Sequence, residues 1–312
     1  MTASIDKLSC ALPHLGVIRV QGEDAAHFLH NQLTQDVLLL DAQHARLAAW
    51  CNAKGRMLAS FVLCKPQPDE VWLICPRDVL PATLKRLSMF VLRAKVKLSD
   101  ASDALQVRGL IGPSLSAITE ERTPWRHVAL DDGARVLTLL PAQGQARGLW
   151  IAPTEITPPA DAAPADASAT DDAANLWAYS DVMSGVAWVS AATAEAFVPQ
   201  MLNYESVDGV NFKKGCYPGQ EVVARSQFRG TLKRRAFIVS STQAMQAGQE
   251  VFATTDATQP CGLIAQAASA LGQHVAVAEL QIASAQEPLH VDSVDGPSLT
   301  VHPLPYALRE DI

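Results

Sequence analysis

Short β-branched runs, cut by Gly, Pro, Asn or Asp, recur along this chain of 312 residues, and that punctuation constrains the fold more than any other feature. From about Lys233 onward the runs at 236–240, 250–253, 262–265, 275–280, 289–291 and 299–302 follow one another with no long helical pattern between them. Closely spaced short strands of this kind predict a small barrel or sandwich. Residues 1–100 read differently. A run at 16–20 ends at Gly22, and Ala25, Ala26, Phe28, Leu29 and Leu33 then follow helical spacing. Residues 46–50 and 57–64 flank Asn52-Ala-Lys-Gly55, which reads as a β-hairpin. After a strand at 71–75, Val79, Leu80, Leu84, Leu87 and Val91 mark an amphipathic helix with Pro81 in its first turn. The fold class is therefore α+β.

Further short apolar runs lie at 107–111, 136–140 and 149–151, within a unit spanning 101–152. Residues 153–175 then carry five acids and no Lys or Arg among Ala, Pro, Ser and Thr, a composition expected of an exposed excursion. With 48% hydrophobic and 18% charged residues, the chain as a whole is not disordered. A formal net charge of −7 argues against a general polyanion binder unless the basic residues cluster. The longest uncharged stretch, 257–278, is broken by Pro260, Gly262 and His274, so no membrane span is expected. The first fifteen or so residues have one basic side chain, Lys7, and no apolar core of a leader peptide. The six cysteines show no tight pairing and read as thiols of a reducing compartment, with cytoplasm as the default.

The basic residues do cluster. Lys213, Lys214, Arg225, Arg229, Lys233, Arg234 and Arg235 are accompanied by one acid, Glu221. Within this stretch Gly215 and Gly219 bracket Cys216-Tyr217-Pro218, which predicts a sharp turn with left-handed φ available at either glycine. Residues 220–225 have helical character, so Cys216 is placed just before a helix N-terminus, where free N–H groups, the dipole and the adjacent lysines favour a thiolate. The same arrangement suits a carboxylate or phosphate.

The string Lys214-Gly-Cys-Tyr-Pro-Gly-Gln-Glu221 followed by Ala224-Arg225 resembles the signature K-G-C-[FY]-x-G-Q-E-x-x-[AS]-R of the YgfZ family, folate-binding relatives of the glycine-cleavage T-protein. The likeness continues in Gln32-Leu33-Thr34, in Ala53-Lys54-Gly55-Arg56-Met57, in Phe197-Val-Pro-Gln200 and in His302-Pro-Leu-Pro-Tyr306. It implies a three-part T-protein-like architecture around a central hole where tetrahydrofolate binds. The expected parts are a folate-binding core of 1–100 plus 176–231, an inserted 101–152 with the excursion 153–175, and a C-terminal β-barrel over 232–312. The resemblance also implies a functional thiol at Cys216, a turn built by Gly215, Gly219, Gln220 and Glu221, and cofactor contacts from Trp177, Asp181, Lys214, Tyr217, Arg225 and Arg229. The cofactor is tetrahydrofolate or a one-carbon derivative, and no stably bound metal is expected.

The chain departs from the pattern of the family it resembles at three places. The T-protein's aspartate falls on Ala59, followed by Ser60, and neither handles a proton as a carboxylate does. The pterin-contacting glutamate falls on Met183, with Asp181 expected two residues earlier on the same strand face. A tryptophan near the N-terminus is replaced by Leu15. Three functions follow from these readings. The first is an accessory protein for iron–sulfur enzymes, including those that thiolate tRNA, working through Cys216 with iron–sulfur assembly proteins, their client enzymes and a reduced folate. The second is a folate-dependent aminomethyl or methyl transferase, which Ala59 argues against. The third is an RNA-binding module using residues 213–235 to grip tRNA directly.

Overall fold

The computed structural model describes residues 5–163, 172–228 and 232–309. The chain opens with β1 (Leu8–Ala11), β2 (Leu15–Gln21), α1 (Ala25–His30), β3 (Ala45–Cys51), β4 (Met57–Gln67), β5 (Glu70–Pro76), α2 (Leu80–Ser88) and β6 (Lys97–Asp100). An antiparallel sheet runs in the order β3-β4-β5-β2-β6. Its outer face carries α1 and α2, which bury Phe28, Leu29, Leu80 and Leu87 against Ile18, Phe61 and Leu63. Strand alternation decides what the inner face carries: Ala59, Phe61 and Leu63 turn toward the helices, while Val62 and Cys64 turn to the opposite core.

Next come β7 (Leu105–Ile111), α3 (Pro113–Ser116), β8 (His127–Ala129), β9 (Arg135–Ala142), β10 (Gln145–Pro153) and α4 (Ala173–Met183). The second sheet is ordered β1-β7-β10-β9-β8, with Leu8 opposite Ile111. The first strand of the chain thus belongs to the second sheet, and the expected unit 1–100 is divided between the two. Of the expected excursion 153–175, residues 164–171 lie outside the described residues. Its described ends are held: Ala162 bridges to Ser9, and Asp161 pairs with the buried Arg108. Residues 173–183, expected to be a strand around Asp181, are helical. The Asp172 side chain caps the first turn by accepting from the Ala174 N–H, and Leu176, Trp177, Tyr179 and Val182 bury themselves at helical spacing.

The chain then passes through short 3₁₀ turns, Pro199–Leu202 and Tyr204–Val207, into α5 (Gln220–Phe228). It ends in β11 (Arg234–Ser241), β12 (Glu250–Ala253), β13 (Gly262–Ala270), β14 (Gln273–Gln281), β15 (Leu289–Val291) and β16 (Ser298–His302). These six close into a barrel in the order β11-β14-β13-β12-β15-β16, around Val239, Ile264, Ala276 and Leu289. One core joins all three parts: Leu47 and Val62 from the first sheet, Leu137 and Leu149 from the second, Trp177 of α4, and Ala265 and Val275 of the barrel. Arg235 tethers β11 to the preceding turns, donating to Asn203 Oδ1 at 3.0 Å and Glu205 Oε1 at 2.7 Å, all three side chains buried. Among the described residues no helix is long and apolar enough to cross a membrane.

His127 on β8 is buried with neither ring nitrogen hydrogen-bonded, and burial followed by the Arg135 charge lowers its pKa to about 4 from 6.5. Between those values the unfolded chain binds the extra proton, so stability falls as pH drops from 6.5 toward 4. The His127→Phe variant is expected to flatten this acid-side loss, measured as melting temperature against pH. A variant with the native slope contradicts the assignment.

Candidate functional site

The glycine-bracketed turn is built against the Asn52–Gly55 hairpin. Gly219 has φ +80°, and a Cβ there would stand 2.4 Å from the Asn52 carbonyl oxygen and 2.7 Å from Gly55 Cα. Two backbones meet with no room for a side chain. The Gly219 carbonyl then accepts the N–H groups of Val222 and Val223, starting α5. Of the two glycines Gly219 takes the left-handed φ and Gly215 does not, and a Cβ on Gly215 would meet only His30 Nε2, at 3.4 Å. Cys216 is exposed, four residues before α5 begins, whereas the other five cysteines are buried. Gln220 Nε2 reaches back to the Gly215 carbonyl at 3.5 Å, and Glu221 and Arg225 are exposed on α5.

Lys214, expected to face a cofactor, is 7% exposed and faces the protein. Its Nζ donates to the carbonyls of His30 and Leu33 and lies 4.5 Å from the centre of the buried Tyr217 ring. Burial lowers its pKa to about 8, against the opposing pull of Asp36 and Cys216. Desolvation likewise raises the Tyr217 hydroxyl. Both side chains fasten the turn onto the C-terminal end of α1.

The basic segment does not form one patch. Arg234 pairs with Glu279, and Arg235 is buried with Glu205. Lys213, Arg225 and Lys233 are exposed, and Arg229 lies outside the described residues.

Trp177, expected to line the folate site, is fully buried. The Arg147 guanidinium stands 4.6 Å from its ring centre, and the ring packs so closely on Gly109 that a Cβ there would lie 2.2 Å away. It offers no face to a ligand. Asp181 is equally committed: Arg147 pairs with one carboxylate oxygen, and the Trp188 indole N–H donates to the other at 3.3 Å. Ala59 is sealed beneath the helices, while Ser60 Oγ accepts the Val189 N–H. Thus no carboxylate replaces the T-protein's aspartate at these two positions.

Between the two sheets, Leu47, Val62, Trp125, Arg147, Asp181 and Trp188 enclose a chamber of about 20 Å³. That is room for one water and not for a ring. Larger openings flank it. One, of about 630 Å³, shares Asp181 and Trp188 with the chamber and is mainly apolar, lined by Leu15, Ala178, Met245 and Ala265 with His14 and Arg77 at its edge. The other, of about 720 Å³, shares Trp125 and is basic and aromatic. Arg46, Arg126, Lys213 and Arg309 line it with Phe212, Phe228 and the carboxylate of Asp208, and Glu121 stands 3.6 Å from Arg126 Nε. Arg46 Nε is buried there without a hydrogen-bond partner.

The sequence reading named neither Arg46 nor Trp125. Nothing local marks them, because β3 and the strand-linking loop before β8 bring them together from 79 positions apart in the chain. The left-handed φ of +64° at Trp125 is invisible to composition. Among the described residues no three His, Cys, Asp or Glu side chains gather as a metal site would require.

Two antiparallel sheets and a closed barrel make up a fold of the glycine-cleavage T-protein kind. The solved aminomethyltransferase T of Bartonella henselae superposes with a TM-score of 0.63 over 96% of this chain and 86% of that one, at 14% identity, a likeness of fold. Residues 10–133 match the GCVT N-terminal domain. An uncharacterized protein of Haemophilus influenzae is 31% identical over 244 residues, 77% of each chain. The tRNA-modifying protein YgfZ of Photobacterium profundum is 30% identical over 72% of this chain and 67% of its own, and that of Klebsiella pneumoniae 28% identical over 93% and 90%. The chain belongs to the YgfZ family.

The two glycines of the turn have different jobs, which thermal unfolding separates. Gly219→Ala must relieve a clash with backbone at positive φ and is expected to cost about 1–3 kcal/mol or more. Gly215→Ala meets only an imidazole edge and is expected to unfold near the native temperature.

Proposed function

We propose that this chain is a folate-binding protein that supports tRNA modification, with a reduced folate held in the basic opening beside Trp125 and a working thiol at Cys216. The buried, unpartnered Arg46 Nε carries the folate reading. An orphaned guanidinium donor in a protein wall is costly unless an acceptor arrives to meet it. The residues fit the anionic half of the molecule: Arg46 and Lys213 suit glutamate carboxylates, and the Trp125 indole suits the flat aminobenzoyl ring. The pterin end does not fit the present chamber, so its entry requires Trp125 or Trp188 to move.

A reduced folate supplies a one-carbon unit when it is bound. With Ala59 and Ser60 where the T-protein has its aspartate, this protein lacks the proton-handling group at those positions, which supports a binding role over aminomethyl transfer. Asp181 cannot stand in for it, being held by Arg147 and Trp188. The exposed Cys216 is available to iron–sulfur assembly proteins and their client enzymes, and its chemistry on iron or sulfur is the proposed contribution to tRNA thiolation. Direct gripping of tRNA has less support, because Lys214, Arg234 and Arg235 are spent on internal partners. Six unpaired cysteines support a reducing cytoplasmic setting.

Equilibrium dialysis against tetrahydrofolate tests the site. Arg46→Gln is expected to weaken binding roughly tenfold or more, as loss of a charge-assisted contact does, while Trp177→Phe in a folded protein leaves affinity unchanged. Loss of binding in the Trp177 variant alone would move the site. In cells lacking the native protein, Cys216→Ala is expected to fail to restore tRNA thiolation. Full restoration would remove the thiol from the function.

A further inference from the structure

We infer that His30 and Asp36 form a proton-accepting pair for Cys216, making the turn a thiol–disulfide exchange site for an electrophilic sulfur presented by a partner. The inference rests on the reading of Cys216 as a working thiol and adds the groups that serve it. His30, the last residue of α1, is 7% exposed. Its Nδ1 lies 3.1 Å from Asp36 Oδ1. That oxygen also accepts the N–H groups of Leu38 at 3.0 Å and Leu39 at 3.1 Å, so the carboxylate is fixed in place. A carboxylate only accepts, so Nδ1 carries the hydrogen and the lone pair stands on Nε2. Among the described residues Nε2 makes no hydrogen bond, and it faces the turn, 3.4 Å from where a Cβ on Gly215 would be.

This accounts for Gly215 without any demand on φ: the missing side chain leaves the space in front of the imidazole clear. Cys216 is the next residue, its Cα one peptide unit away, about 3.8 Å. No hydrogen bond joins Sγ to Nε2 in this conformer, so the exchange requires the exposed thiol to turn about χ1 to meet the ring. The Lys214 ammonium holds the His30 carbonyl, tying ring and turn into one unit. The charged or titratable groups acting on His30 are Lys214, Asp36 and His27. Burial first, then the Lys214 charge, keeps the imidazole below its ordinary pKa of 6.5, hence neutral at pH 7, while Asp36 opposes both.

In the exchange, Nε2 takes the proton from Cys216 Sγ, and the sulfur attacks one atom of an R–S–S–R′ bond. The Sγ–S bond forms and the S–S bond breaks. The leaving R′ thiolate takes the electron pair and then the proton from His30. Cys216 ends oxidised in a mixed disulfide and R′–SH is the reduced product, so no outside oxidant is needed.

The probe is 5,5′-dithiobis(2-nitrobenzoate) on the native full chain, followed by stopped-flow absorbance across pH. The buried cysteines are slow, with burial raising Cys10 and Cys51 to about 12, so one fast thiol is expected, and it is lost in Cys216→Ser. His30→Gln is expected to slow that phase roughly tenfold or more at pH 7 and to move its pH midpoint upward. An unchanged rate and profile in a folded His30→Gln overturns the inference and leaves the thiol reading standing. A native chain with no fast thiol overturns the thiol reading itself. Should His30→Gln unfold, the NMR titration of His30 in Cys216→Ser decides: a curve shifted from native supports the pair, and an identical curve overturns it.

Discussion

The Arg147–Asp181 pair holds the molecule together at its middle. It links β10 of the second sheet to α4, both partners are at least nine-tenths buried, and Trp177 and Trp188 cover it. Charges so placed are costly unless paired and hydrogen-bonded, and removing one partner of such a pair leaves the other stranded, commonly at about 3–5 kcal/mol. Because α4 also packs on β13 of the barrel, the position of that helix, and with it the barrel, follows from this contact. The same pair lines the small chamber between the sheets, which has the volume of a water. The carboxylate that the sequence offered as a ligand for a pterin is thereby a structural ion.

With the middle closed, polar chemistry moves outward. The basic opening beside Trp125 and the turn carrying Cys216 both lie against the C-terminal end of α1 and the loop that follows it: Gln35 lines the opening, while His30 and Leu33 hold Lys214. Residues 30–36 are therefore common ground between the basic opening and the thiol. Gln35 accepts the Asp36 N–H, and Asp36 is the partner of His30.

Much of this was legible in the chain. The hairpin at 52–55, the α2 pattern with Pro81 in its first turn, the helix after Gly219 and all six barrel strands follow from local periodicity and turn residues, which act over a few positions. The failures share a different cause. α4 reads as a strand because a helix buried on most sides has no polar stripe to show its period. Basic residues 213–235 read as one anion site because sequence counts charges without their partners, and Glu205 and Glu279 arrive from elsewhere.

The sequence by itself determined the family, the α+β class with its C-terminal barrel, and the glycine-bracketed placement of Cys216 before a helix, since each is written in short-range pattern and in a contiguous motif. Only the tertiary structure decided that Trp177, Asp181 and Lys214 are internal fasteners, that Arg46 and Trp125 share a cavity, and that His30 faces the turn. Those facts depend on which distant side chains compete for the same space and charge. That competition is settled by packing, after the strands have found their partners.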